Sequence, residues 1–245
     1  MNDDQLDRYS RHLLLPQLDY DGQMRLIDAH AVILGLGGLG SSAAMYMASS
    51  GVGELTLVDP DSVESSNLQR QIIHNESRIG VNKAYSAQTT LNDLNSQVRT
   101  KVIDRELTAD ELLPIIKSAD VVLDCTDNGA SRRRHNQVCI EAGTPLVSAA
   151  AIRFEGQMMV IDPRQDTPCY QCVYPSVDQT DVSCSESGIF APVVGLMGVH
   201  QALEALKLLS KTGSPLTGKL ASFDGLSGQW RYFNVQKNEK CTVCG

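Results

Sequence analysis

The run AHAVIL at 29 to 34, followed at once by GLGGLG from Gly35 to Gly40, constrains the fold of this chain more than any other feature. A continuous apolar stretch of that length reads as a strand buried on both faces, and such strands belong to parallel sheets covered by helices. Gly35, Gly37 and Gly40 have the spacing in which the first glycine makes a tight turn, the second admits a phosphate close to the backbone, and the third lets the next helix approach the strand. Gly38 is grouped with them as a nucleotide-binding residue. SSAAMYMASSGV reads as that helix, ending near Gly51 and Gly53, and its free N-terminal amides attract an anion. ELTLVD, 54 to 59, is the next strand, so strand, turn, helix and strand make a right-handed βαβ unit. Asp59 ends the second strand, where a carboxylate accepts hydrogen bonds from ribose hydroxyls.

The alternation continues with a helix over 83 to 95, a strand over 99 to 106, and a helix opening at Thr108, where Glu111 completes a capping-box spacing. VVLDCT is a buried strand over 121 to 126, 130 to 142 a helix, and PLVSAA a strand. Beyond residue 150 the pattern changes. FEGQMMVIDP alternates as a half-exposed strand, the polar stretch 174 to 190 marks a mobile loop, and a helix over 192 to 209 sets Leu203, Leu206 and Leu209 beside Ala202 and Ala205 as a core-facing stripe. LASFDG and QWRYFNV read as a closing antiparallel hairpin. The expected fold is α/β: a Rossmann-like doubly wound sheet in a single 1–245 domain, with a parallel nucleotide-binding half to about 150 and an antiparallel half after it.

Four of the cysteines form two pairs, Cys169-x-x-Cys172 and Cys241-x-x-Cys244. Each pair spans one tight turn and offers two thiolates, so together they can close a tetrahedron around one Zn²⁺ with no open position, a structural staple. A duplicated pair argues against a redox motif. Of the remaining three, Cys125 and Cys139 sit in apolar segments and read as core, while Cys184 lies in the polar loop.

Composition excludes several classes of partner. The net charge is -8, and the only basic run, Arg132 to Arg134, reads as a solvated helix face, so no nucleic-acid or anionic-membrane surface is expected. The stretch between Glu186 and Glu204 carries no formal charge but holds Ser187, His200 and Gln201, and falls short of a membrane span. The acidic N-terminus lacks the pattern of a secretion signal, and a cytoplasmic protein is expected.

The residues after Asp59 separate the possible nucleotides. The segment SNLQRQ (Ser66, Asn67, Leu68, Gln69, Arg70, Gln71) and Lys83 bring amide, guanidinium and ammonium groups that suit a triphosphate better than a nicotinamide ring. In DCTDN, Asp124 lies inside the strand and reads as structural. Asp127 stands just past its carboxyl end, where doubly wound sheets bind ligands and a carboxylate can hold Mg²⁺ against phosphates.

RYSRHLLLP, GLGGLG, SNLQRQ, Lys83, DCTDN, SAAAIRFEGQ, CYQC and CTVCG together resemble the bacterial sulphur-carrier adenylyltransferases, relatives of the ubiquitin-activating enzymes, nearly end to end. The resemblance implies ATP-dependent adenylation of the C-terminal carboxylate of a small ubiquitin-like protein ending in Gly-Gly. It assigns the glycines and Asp59 to adenosine, Asn67, Arg70 and Lys83 to the phosphates, and Asp127 with Mg²⁺ to the reacting centre, supported by Gln71 and Asn128. It gives Arg11 a role across a symmetric homodimer, reaching into the partner's site. SAAAIRFEGQ is similar to the molybdopterin branch of the family and SFDGLSGQWR to the thiazole branch, and the expectation favours the former. Some relatives use a cysteine in the position of Cys184 as a nucleophile. Here Asp181 and Glu186 flank it with no nearby cation, which raises a thiol's pKa rather than activating it.

Overall fold

The computed structural model describes residues 1–175 and 187–245. One eight-stranded sheet runs through them in the order β3-β2-β1-β4-β5-β6-β7-β8. β1 (His30–Leu34) lies between β2 (Glu54–Val58) and β4 (Val121–Asp124), with β3 (Arg99–Ile103) beyond β2 and β5 (Leu146–Ile152) beyond β4, all parallel. From β5 onward the sheet turns antiparallel through β6 (Glu155–Ile161), β7 (Lys219–Asp224) and β8 (Gln229–Asn234). The change of grammar after residue 150 is therefore real. Ala31, Val32 and Ile33 of β1 are fully buried, each large side chain contributing about 1.5–3 kcal/mol of transfer free energy.

Three N-terminal helices, α1 (Asp3–Arg8), α2 (Ser10–Leu13) and α3 (Asp19–Asp28), precede β1. α4 (Gly38–Ser49), α5 (Lys83–Leu94), α6 (Ala109–Lys117) and α7 (Gly129–Ala142) connect the parallel strands, and α8 (Tyr170–Val173) and α9 (Ala191–Ser210) belong to the antiparallel half. α6 starts as expected: Thr108 Oγ1 accepts from the Glu111 amide at 3.4 Å while the Glu111 carboxylate accepts from the Thr108 amide at 2.9 Å. One apolar cluster, with α4 and α9, fills one face of the sheet; the second, holding Leu107, Leu112, Val138 and Cys139, fills the other.

Three expectations need correction. β3 ends at Ile103, not 106, because Asp104, Arg105 and Glu106 turn into solvent at the sheet edge. β6 alternates only at its start. Met158 and Val160 enter one cluster while Met159 and Ile161 enter the other, so from Met158 to Ile161 the strand is covered on both faces and every residue is buried. Leu203 is 52% exposed and leaves the stripe of α9. Three-residue steps drift around a 3.6-residue helix, and the buried face instead runs through Val194, Met197, Gln201, Ala202, Ala205 and Leu209. Cys125 and Cys139 are core residues, and burial pushes both thiols up, out of the reactive range.

Candidate functional site

The glycine turn forms because Gly35 takes a φ of 92°, where any Cβ would also sit 2.9 Å from the Cys125 carbonyl oxygen. Gly40 is held more tightly: a Cβ there would lie 2.0 Å from the Gly35 oxygen. α4 consequently begins directly over the end of β1, and the unpaired amides of its first turn open at the carboxyl edge of the sheet. A cleft of about 320 Å³ lies there, with Gly35, Gly37 and Gly38 on one wall.

Asp59 lines the cleft and is 4% exposed. Its oxygens accept from the Leu36 amide at 2.6 Å and the Asp61 amide at 2.9 Å. Burial pushes its carboxyl above the ordinary value, opposed by the Leu36 amide, Lys83 and the Asp61 amide. Arg70, Gln71, Lys83, Asp127 and Asn128 join the same lining. Gln71 is buried and keeps its Oε1 without a hydrogen-bond partner among the described residues. The Lys83 ammonium is fixed by Asp61 Oδ2 at 2.9 Å, a residue the sequence reading passed over. Asp127 is exposed at the rim, on a loop shaped by Asp124, whose Oδ1 accepts from the Thr126 hydroxyl at 2.6 Å and amide at 3.1 Å. Asn128 caps α7, accepting from the Ser131 amide at 2.8 Å.

Other expected residues lie elsewhere. Ser66, Asn67, Leu68 and Gln69 are absent from the cleft lining. Asn67 Oδ1 accepts from the Glu64 amide at 3.2 Å to close a short 3₁₀ turn, and the Ser66 carbonyl accepts from Arg70 Nη1 at 3.2 Å, which ties Arg70 to the segment. Gly40 acts through packing behind the turn. Arg11 is exposed on α2, outside the cleft of its own chain. Cys184 falls within 176–186, outside the described residues.

The basic run is the clearest correction. Arg132 and Arg134 both line the cleft, half-buried, with their Nε atoms shut from solvent and unpartnered among the described residues, and Arg132 Nη2 donates to the Thr126 carbonyl at 2.7 Å. A solvated face was expected because three consecutive arginines diverge on a helix. The signal that could have found them is the N-cap at Asn128: the first turns of α7 stand at the ligand edge of the sheet, so two of three divergent directions face the cleft.

Cys169, Cys172, Cys241 and Cys244 converge, with all four Sγ atoms within 4.8 Å of one another. Three of the separations are 4.0, 3.7 and 3.5 Å. A tetrahedral Zn²⁺ with bonds of about 2.3 Å holds its sulphurs about 3.8 Å apart, so the donor set and spacing fit that ion.

The sequence profile of the ThiF family matches residues 9–243. The chain belongs to the ThiF family. It is 44% identical over 245 residues to the sulfur carrier protein ThiS adenylyltransferase of Escherichia coli (strain K12), covering 100% of this chain and 97% of that protein. It is 42% identical over 245 residues to the molybdopterin-synthase adenylyltransferase of the same organism, covering 100% and 98%. A crystal structure of E. coli MccB with ATP superposes with a TM-score of 0.82 at 25% identity, covering 100% of this chain and 75% of that one.

Within this ThiF-family site, His74 was not anticipated. It is 6% exposed and ties the Arg70 segment to the glycine turn, with Nδ1 2.8 Å from Ser86 Oγ and Nε2 3.0 Å from the Leu36 carbonyl oxygen. Burial pulls its pKa down to about 4, against the Leu36 carbonyl and aided by Lys83 and Arg78. The folded value lies below the ordinary 6.5, so the unfolded chain takes the proton first. This contribution is full above pH 6.5 and is lost as pH falls toward 4, by up to about 1.4 kcal/mol per pH unit. Urea unfolding between pH 7 and 5 should show that slope, and His74→Gln should flatten it by nearly one proton. An identical slope in the variant would remove His74 from the account.

Proposed function

We propose that this ThiF-family chain adenylates the C-terminal Gly-Gly carboxylate of a small ubiquitin-like sulphur-carrier protein, using ATP and releasing pyrophosphate. The observation that carries the reading is one cleft in which a glycine turn and the acid Asp59 meet the cations Arg70, Lys83 and Arg132, with Arg105 and Arg134 also in the lining and Asp127 at the rim. A carboxylate oxygen of the carrier attacks the α-phosphorus; the bond from that phosphorus to the bridging oxygen of the β-phosphate breaks, and pyrophosphate leaves with the electron pair. The carrier becomes an acyl-adenylate. Such chemistry needs alignment and charge neutralisation rather than a covalent enzyme intermediate.

The residues divide that work. Lys83, held by Asp61, and Arg70, tied to the Ser66 carbonyl, offset charge on the leaving phosphates. Mg²⁺, when bound, would add to that neutralisation, and Asp127 is the carboxylate suited to hold it with the phosphates. A second groove of about 160 Å³ shares Asp127, Arg132 and Ala151 with the nucleotide cleft and continues along Ala150 and Gly156. Ile152, Glu155 and Gln157 also line it, but the stretch of Ala150, Ala151 and Gly156 suits an extended tail without side chains, and Arg132 stands at the junction to receive its carboxylate. Arg11, exposed and away from its own cleft, suits a homodimer in which Arg11 of the partner subunit completes the site.

The carrier of the molybdopterin pathway is the primary reading, supported by SAAAIRFEGQ around the β5–β6 turn. The thiamine-pathway carrier is the second, supported by SFDGLSGQWR and by the 44% identical relative. The test mixes the protein with Mg²⁺, ATP, labelled pyrophosphate and each carrier separately. The cognate carrier should drive label into ATP, and removing its last glycine should abolish the exchange. Exchange that survives the truncation would refute the attacking carboxylate.

A further inference from the structure

Arg132 has a task in this scheme and Arg134 has none. Arg134 lines the cleft, yet its Nε is buried without a hydrogen-bond partner among the described residues. Shutting a guanidinium edge from water without replacement costs free energy, so Arg134 is held in the cleft wall at a cost. Its place on α7 indicates which part of the ligand. Arg134 stands one helical turn before Val138, and Val138 packs in the apolar cluster with Val58, Leu107 and Leu112, three residues that also line the cleft. In a site of this kind the glycine turn takes phosphate and the acid after the second strand takes ribose. The base attached to that ribose then falls against the apolar wall next to Asp59, which is the wall of Val58, Leu107 and Leu112. Arg105 also lines the cleft beside Leu107 but is paired with Glu111 at 2.8 Å, which leaves Arg134 for the base at that wall.

We infer that Arg134 is a base-binding residue: its guanidinium lies on the face of the purine while the three apolar side chains close the other side. A planar, weakly hydrated cation stacks well on an aromatic face, and a purine offers a larger face than a pyrimidine. Arg134 thereby sets preference for the base rather than grip on the phosphates. The inference rests on the nucleotide reading of the cleft.

The experiment measures binding of ATP, CTP and inorganic tripolyphosphate, each with Mg²⁺, to the wild type and to Arg134→Ala and Arg134→Lys by titration calorimetry. Thermal unfolding without ligand selects the variants that remain folded. Arg134→Ala should weaken ATP about five- to thirtyfold, narrow the ATP-over-CTP preference, and leave tripolyphosphate unchanged. Arg134→Lys keeps the charge but loses the planar face, so it should weaken ATP nearly as much, again sparing tripolyphosphate. If tripolyphosphate weakened in parallel with ATP, or if Lys restored full ATP affinity, Arg134 would be a phosphate ligand and the inference would fail. Unchanged ATP affinity in both variants would also overturn it. A folded wild type that bound tripolyphosphate no more weakly than ATP, with CTP equal to both, would instead sink the nucleotide reading.

Discussion

Arg11→Ala and Asp127→Ala proteins should each lose ATP-pyrophosphate exchange by about a thousandfold, and should recover roughly a quarter of the wild-type rate when mixed. A shared site sets that fraction. Arg11 is exposed on α2 and takes no part in its own cleft, whereas Asp127 stands at the rim of the cleft in the same chain. If the arginine acts across a dimer and the carboxylate within a chain, a mixed dimer contains one site with both groups and one with neither. Random reassortment makes about half the dimers mixed, each with one good site of two. The measurement is the exchange rate of the mixture, after mass measurement has established that subunits exchange. No recovery would return Arg11 to an ordinary surface role and leave the cleft to work within one chain.

Loss of the metal should produce the second large effect. The four thiols join the loop after β6 to the segment after β8, and Lys237 reinforces the same junction through Asp166 at 2.8 Å. Without an ion, the four thiols keep only weak contacts with one another and with nearby amides, and the ends they tie are released. Binding to a site present only in the folded chain is linked to folding, so chelation should cost about 3 kcal/mol or more. For a chain of this size that lowers Tm by roughly 6–12 °C. Cys241→Ser, at a buried ligand, should do the same and make chelator addition redundant. Metal analysis should find about one Zn²⁺ per chain; less than about half an equivalent in protein never exposed to chelator would count against a closed structural site.

The sheet was legible because its parallel strands are buried on both faces and therefore written as apolar runs, and because glycine turns and caps mark the ends. Thr108 with Glu111 is such a mark, confirmed atom by atom. Leu203 was misread because apolarity at nearly helical spacing does not say which side meets the core. The placement of side chains was legible where it depends on local spacing, as in the glycine turn with Asp59 and, away from the cleft, the converging cysteine pairs. It was illegible where a side chain's use depends on the third dimension. Asp61 matters through Lys83, 22 residues later, His74 through a carbonyl in the glycine turn, and Arg134 through an apolar wall contributed by other elements. Arg11 could be singled out only by resemblance, since nothing in its local sequence distinguishes it from a surface arginine.

The contact between Gly40 and the Gly35 carbonyl has an evolutionary consequence. Enzymes commonly trade stability against activity, because active sites hold groups that the fold would rather relax. At this turn the two demands coincide. A side chain at 40 would push α4 from the end of β1, loosening the core behind it and displacing the amides of its first turn in one movement. Selection for a sturdier fold and selection for a faster enzyme therefore act on this glycine in the same direction, and a screen that scores only activity would be unable to tell a catalytic defect here from a folding defect.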